Sequence, residues 1–207
     1  MKKSSLKYWT LFIFYSNSFT VHSQTGKQKI RLQEITEQYF STNAADQYIS
    51  QTIENFKKAG FTHDTLISKT DSSLFYYRGY STSFNPFQIP VRKVEIQFRE
   101  NKILVRGEKI ARDTILILQI LGITDSSAEN KNKLIEEVQR ISKEFIEVFP
   151  LFNHGKSAKK AKRPYEFFTF NIFPAPYPTL ILGFGAYYQN PKINCIDLEL
   201  YYKLKIE

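Results

Sequence analysis

Residues 196–206, IDLELYYKLKI, alternate apolar and polar side chains with a period of two. Successive side chains of a strand point to opposite faces of a sheet, so this segment has one apolar face and one polar face. The pattern predicts a strand whose apolar face, with Leu198 and Leu200, packs on a core. Its other face, with Asp197 and Glu199, is expected to meet solvent.

Similar alternation predicts a sheet made from most of the chain. Strands are expected over residues 61–69, 74–83, 93–99, 103–106, 115–123, 165–173 and 179–188. Residues 115–123, ILILQILGI, are apolar on both faces apart from Gln119. That pattern predicts a central strand covered on both sides, or one that meets a second subunit. The connections between the C-terminal strands are short, which favours antiparallel pairing.

Helical spacing of apolar residues is found in two parts of the chain. A long helix is predicted over about residues 127–149, because an apolar stripe runs through Leu134, Val138, Ile141, Phe145 and Val148. A second helix is predicted between Asn43 and Gly60, and weaker spacing over residues 27–40 favours a short first helix. The fold class is therefore α+β: an antiparallel twisted sheet of about six to seven strands, with the long helix and one or two N-terminal helices packed on it.

The first 23 residues have the composition of an export signal. Three lysines precede the apolar run YWTLFIFY, and Val21-His22-Ser23 supplies a small residue at the expected cleavage site. The mature chain, residues 24–207, is then expected to be a single α+β domain in the periplasm of a Gram-negative bacterium or secreted from it. The alternative is that the segment is retained as a buried strand or an N-terminal helix.

The composition excludes several classes of protein. The chain has 207 residues, of which 42% are hydrophobic, and it contains one cysteine, which excludes a disordered or disulfide-dense chain. Cys195 lies between apolar neighbours and is expected to be buried and inert. Three histidines without ligand spacing and the absence of nucleotide-binding or hydrolase motifs predict no metal, no cofactor and no catalytic residue that can be named.

The strongest charge feature is a basic segment after the long helix. The formal net charge is +9, and it would be +6 without the three lysines of the predicted signal. We call residues 151–164 the basic connector, whose cations are Lys156, Lys159, Lys160, Lys162 and Arg163. Such a run predicts a site for an anionic partner. The alternative is a solvated loop without a ligand.

A second candidate surface is aromatic. Strand alternation assigns four rings to the face of the sheet opposite the core, close to Gly183 and Gly185: Tyr165, Phe167, Tyr187 and Tyr201. Rings beside glycines on a sheet can stack on sugars, bases or apolar side chains of a partner. The alternative is that these side chains only fit a half-wet sheet surface or are covered by helices.

These features favour an exported, non-enzymatic binding or interaction module whose partner is an anionic polymer, a glycan or another protein. One alternative is a hydrolase acting on envelope polymer, built from carboxylates or from His63 and Asp64. Another is a basic nucleic-acid-binding protein, which requires that the N-terminal segment is retained. A nucleic acid inside the cell is not accessible to an exported chain.

Overall fold

A computed structural model describes residues 26–43, 48–63, 75–101, 104–105, 108–109, 115–125, 127–156, 165–171, 179–187, 189–190 and 192–203. The predicted signal, residues 1–23, lies outside these ranges, and so do four of the five cations of the basic connector.

Ten strands are described. Their bounds are β1 Thr62–His63, β2 Phe75–Ser81, β3 Lys93–Asn101, β4 Leu104–Val105, β5 Glu108–Lys109, β6 Ile115–Ile123, β7 Leu151–Lys156, β8 Tyr165–Asn171, β9 Thr179–Ala186 and β10 Asn194–Lys203. Eight of them form one antiparallel sheet in the order β1-β2-β3-β6-β10-β9-β8-β7, while β4 and β5 pair separately.

The α+β class and the antiparallel sheet are confirmed, but the sheet has eight strands rather than about six to seven. Part of the difference lies in the basic connector, because its first six residues form β7. This segment lacks the apolar alternation of a strand. It forms a strand because it pairs with β8, where His154 lies opposite Phe168. At the other edge, β1 is described over Thr62–His63, and residues 64–69 of the strand predicted over residues 61–69 lie outside the described residues.

Three helices are described: α1 over residues 26–40, α2 over Ile49–Lys58 and α3 over Ala128–Ile146. The Ser127 hydroxyl accepts a hydrogen bond of 3.1 Å from the Asn130 amide, which caps the first turn of α3. Gly60, with φ of 85°, follows the end of α2, as the sequence predicts. None of the described helices has the length and apolar character that a membrane span requires.

The core lies between the helices and one face of the sheet. α3 contacts β8, β9 and β10, whereas α2 contacts β2. The helix stripe and the inward side chains of the strands bury each other completely or nearly so; they include Leu134, Val138, Ile141, Phe145, Ile96, Phe98, Leu118, Ile120, Leu180, Leu182, Leu198 and Leu200. The alternation of residues 196–206 therefore predicted the inward face of β10 correctly.

The opposite face of the sheet is not wet, which corrects the expectation for β10. Asp197 is only 6% exposed, and Leu121 on the same face of β6 is 3% exposed. β6 is fourth in the strand order and is buried on both faces, as its sequence predicts. Tyrosine side chains on this face bond to its carboxyl groups, so the acids are covered where solvent was expected.

Candidate functional site

The second face of the sheet holds a polar group that we call the acid cluster: Gln119, Tyr165, Asp197, Glu199 and Tyr201. Its members come from three strands of the sheet: Gln119 lies on β6, Tyr165 lies on β8, and the other three lie on β10. In the strand order, β6 is next to β10, and β9 lies between β10 and β8. Glu199 lies opposite Gln119, Asp197 lies opposite Gly183, and Tyr165 lies opposite Gly185. Strand alternation then directs these side chains to one face.

One amide joins the two carboxyl groups of the cluster. The Gln119 Nε2 donates to both Asp197 oxygens at 3.0 Å and to Glu199 Oε1 at 2.7 Å. The amide belongs to the central strand and both acids belong to its neighbour, two residues apart. The register of β6 against β10 therefore determines whether these acids have a hydrogen-bond donor.

Tyrosine hydroxyls supply further donors on this face. The Tyr165 hydroxyl donates to Asp197 Oδ2 at 3.1 Å, and the Tyr201 hydroxyl donates to Glu199 Oε2 at 2.5 Å. Farther along the face, the Tyr187 hydroxyl donates to Glu95 at 2.7 Å. Each of these acids is thus matched with a phenol, which is how buried polar atoms are normally accommodated.

Burial controls the protonation of the acid cluster. Loss of hydration raises the pKa of Asp197 well above its ordinary value, and repulsion from Glu199 raises it further. Burial also raises the pKa of Glu199, while the Tyr201 hydroxyl and the Arg99 guanidinium act in the opposite direction. Since the pKa of both carboxyls is raised, the pair retains a proton at pH values where exposed carboxyls are ionised.

Cys195 lies on the same face of β10 and is buried. Burial is also the main reason why the pKa of its thiol is raised, and the Asp197 carboxyl adds to the effect. A thiol that stays protonated is a poor nucleophile. Cys195 is therefore buried, as predicted, and this environment disfavours reactivity.

A cleft of about 210 Å³ lies where α3 begins beside the sheet. We call it the α3 cleft, and it is lined by Lys131, Leu134, Lys156, Tyr165, Glu166, Phe184, Gly185, Ala186 and Asn194. Its lining combines two cations with two aromatic rings. Neither carboxyl of the acid cluster is among the described lining residues, although Tyr165 belongs to both groups.

Glu166 organises one wall of the α3 cleft. Its Oε1 atom lies 2.7 Å from His154 Nε2 and 3.0 Å from Lys156 Nζ. The His154 ring in turn stacks on Phe168, with ring centroids 4.3 Å apart and an angle of 8° between the planes. These contacts hold the Lys156 ammonium at the rim of the cleft, and burial of Glu166 is only partial.

The predicted aromatic surface is only partly present as an open surface. Tyr165 and Phe167 are half-buried and have their ring centroids 6.2 Å apart. Tyr201 is half-buried too, and its hydroxyl is bonded to Glu199. Tyr187 is 5% exposed because its ring packs in a small core with Leu121. The expectation that Tyr187 presents a ring to a partner is therefore wrong.

The predicted basic site is described at one position only. Lys156 lines the α3 cleft, whereas Lys159, Lys160, Lys162 and Arg163 lie outside the described residues. The structure therefore brings one member of the basic connector, Lys156, together with one member of the aromatic set, Tyr165. Their ligand-binding roles remain predictions.

Several residues of the site escaped the sequence analysis. Asp197 and Glu199 were assigned to a wet face, and Lys131 and Phe184 were not assigned to any site, because nothing local marks them. His63 is exposed, and its neighbour Asp64 lies outside the described residues. Among the residues that the structure describes, no group of three or more His, Cys, Asp or Glu could hold a metal ion.

Gly183 leaves the space that the Tyr165 ring occupies, so we expect Gly183→Ala to destabilise the chain. A Cβ atom at this position would overlap the Tyr165 hydroxyl and ring. Displacing the ring breaks its hydrogen bond to Asp197, and we expect the free energy of unfolding to fall by about 1–3 kcal/mol in urea titrations. Gly26→Ala is the control, because nothing lies within 4 Å of that position; an equal loss in both variants would contradict the packing argument.

The acid cluster predicts a pH-dependent stability. Both carboxyls have a higher pKa in the folded chain than in the unfolded chain, so the free energy of unfolding falls as the pH rises above about 4. Glu199→Gln removes one of the two raised carboxyls and the repulsion that raises the pKa of Asp197, so it should make the decrease with pH less steep, by up to about 1.4 kcal/mol per pH unit. Urea unfolding at several pH values measures this slope.

The matched control is Glu129→Gln, which removes an exposed carboxyl on α3 whose pKa is lowered by Lys133. In that variant, the free energy of unfolding should still decrease with pH as it does in the wild type. If Glu199→Gln has the same slope as the wild type, Glu199 does not contribute to the pH dependence, which contradicts its raised pKa in the folded chain.

Comparison with known proteins adds no functional assignment to this geometry. No family model, curated protein or solved structure matches the chain. The arguments about function therefore start from the acid cluster, the α3 cleft and the cations beside it.

Proposed function

We propose that this chain is an exported, non-enzymatic binding module for an anionic glycan of the cell envelope. Its binding surface is the α3 cleft together with the basic connector. This function combines the two surface features of the sequence, a basic segment and aromatic rings, in one contiguous area.

The observation that supports the proposal is the position of the two residues that flank the connector. Lys156 precedes residues 157–164 and Tyr165 follows them, and both line the α3 cleft. None of the other four cations is more than four residues from one of these two positions. In the sequence, the connector's undescribed cations therefore stand between two residues of the cleft.

The chemistry of this area suits an acidic polysaccharide. Clustered cations raise the local concentration of anions and give a binding energy that salt screens. Phe184 adds apolar surface in the cleft, which can pack on the C–H face of a sugar. A polymer with carboxylate groups on sugar rings satisfies both features at once.

Export is the part of the proposal that selects a glycan over a nucleic acid. The N-terminal segment has the composition of a cleavable signal. Anionic sugars and lipid head groups are the abundant polyanions outside the inner membrane, where such a signal would direct the chain. Aromatic rings beside cations would also suit single-stranded nucleic acid, so the test below includes one.

A second candidate function, hydrolysis of an envelope polymer, is favoured by the acid cluster. A buried carboxyl that keeps its proton has the property required of a general acid. Asp197 accepts a hydrogen bond from the hydroxyl of Tyr165, which lines the α3 cleft. Neither acid is among the described residues that line the cleft, so binding without catalysis is the function that the geometry supports better.

The cations of the connector should determine binding to an acidic polymer. We expect the combined change of Lys159, Lys160, Lys162 and Arg163 to alanine to weaken binding to polygalacturonate about tenfold or more at low salt. The remaining binding should also depend less steeply on salt, because fewer counterions are displaced. Titration calorimetry at several NaCl concentrations measures both effects.

The matched control changes four exposed lysines of α1 and α2, Lys27, Lys29, Lys57 and Lys58, to alanine. It removes the same charge and should preserve more of the affinity. Equal losses of affinity in both variants would mean that the connector contributes to binding only through the net charge of the chain. Tighter binding to single-stranded DNA than to polygalacturonate would contradict the glycan proposal, and release of reducing ends that Glu199→Gln abolishes would establish the hydrolase instead.

Export predicts a defined mature N-terminus. Expression of the full chain in a Gram-negative host should yield a periplasmic or secreted form that begins at Gln24, because cleavage is expected after Ser23. Intact-mass measurement of the chain from each cell fraction tests this. A full-length chain confined to the cytosol would contradict export and would favour the nucleic-acid alternative.

A further inference from the structure

The size of the α3 cleft limits what can enter it. Its volume of about 210 Å³ is below the roughly 300–1,000 Å³ of sites for drug-sized ligands. A ligand of about one ring suits that space best. A bound glycan would therefore place a single unit inside the cleft, with its other units outside.

Two ammonium groups define the charge that this unit should have. Lys131 belongs to the first turns of α3, Lys156 is the last residue of β7, and both line the cleft. Glu166 contacts the Lys156 ammonium at 3.0 Å, and an ammonium group has three donor hydrogens. Donors from two elements that meet at one cleft favour a ligand with a carboxylate or a similar anionic group.

The remaining lining indicates the body of the ligand. Leu134, Phe184 and Ala186 supply apolar surface, and Phe184 is only partly buried. Asn194 and Glu166 add an amide and a carboxylate, which suit hydroxyl groups as donors and acceptors. Glu166 already contacts His154 and Lys156, so a ligand hydroxyl would add to these bonds, whereas an acid without hydroxyls would make no such bond to Glu166 or Asn194.

We infer that the α3 cleft binds a single carboxylated sugar ring, with its carboxylate at Lys131 and Lys156 and its C–H face against Phe184 and Leu134. This inference rests on the proposed function and specifies the unit that the module recognises. The connector then contributes affinity for the rest of a polymer, whereas the cleft contributes selectivity for the ring.

The test compares three small molecules with the folded wild-type chain. Galacturonic acid carries both the carboxylate and the hydroxyls, galactose lacks the carboxylate, and cyclohexanecarboxylate lacks the hydroxyls. We expect galacturonate to bind at least about tenfold more tightly than either of the others. Galactose cannot form the charge-assisted hydrogen bonds, and cyclohexanecarboxylate cannot form the neutral ones. Galacturonate should also compete with polygalacturonate.

Two variants localise the binding to the cleft. Ala186→Leu adds volume to the lining without removing a polar group, and it should weaken galacturonate binding about tenfold or more. Lys131→Ala removes one of the two cations and should weaken it about tenfold. Lys143→Ala is the matched control, because Lys143 is an exposed lysine twelve residues farther along α3, about 18 Å along the helix axis. It should bind as the wild type does.

The outcomes separate this inference from the proposed function. Galacturonate that binds no better than galactose, or a folded Ala186→Leu chain with wild-type affinity, overturns the sugar-ring inference. If Ala186→Leu fails to fold, unchanged binding in Lys131→Ala overturns it instead. Salt-dependent polygalacturonate binding that survives these results still supports the proposed function, whereas a wild-type chain that binds galacturonate but not polygalacturonate overturns the polymer proposal and supports the cleft.

Discussion

The sheet withdraws two carboxyl groups of one strand from water, Asp197 almost completely and Glu199 in part, and the second face of the molecule is arranged around this constraint. A carboxyl removed from water is destabilising unless it has hydrogen-bond donors or keeps its proton. Asp197 and Glu199 have the donors, since Gln119 bridges them and two tyrosines bond to one each. A shift of β10 by one residue would turn both acids into the apolar core. The acid cluster thus specifies the register at the centre of the sheet.

Tyr165 connects this buried network to the surface. Its hydroxyl bonds to Asp197, its ring fills the space beside Gly183, and other atoms of the residue line the α3 cleft. A side chain held at several points loses little further freedom when a ligand arrives. A binding wall of this kind is preorganised, which is the condition under which a small contact area can give useful affinity. Asp197 therefore has a structural effect on the cleft, through Tyr165, without being among its described lining residues.

The sequence predicts well which face of a strand each side chain occupies and with what period the faces alternate, because these properties depend on local geometry. The alternation of β10 assigned Leu198 inward and Asp197 outward, and both assignments agree with the structure. What covers the outward side is a different matter. Asp197 is covered by Tyr165, 32 residues earlier, and bonded by Gln119, 78 residues earlier. No period in the sequence around residue 197 contains that information.

The edge of the sheet and the α3 cleft illustrate the same limit. β7 has a poor strand pattern, with Gly155 next to His154, and it becomes a strand because β8 supplies a partner. Lys131 and Lys156 stand 25 positions apart in the sequence and meet at one cleft only because α3 returns the chain to the sheet. Composition therefore indicated which residue types matter, while tertiary contacts determined which individual residues lie together.

The outermost position of β7 has a consequence for solubility. The last strand of a sheet offers backbone groups on which another molecule of the same protein can assemble, and such assembly leads toward aggregates. Lys156 lies on this strand, and the rest of the basic run follows directly in the sequence. Two copies approaching through this border would bring like charges together. The same cations that suit an acidic ligand therefore oppose self-association of the protein along its sheet.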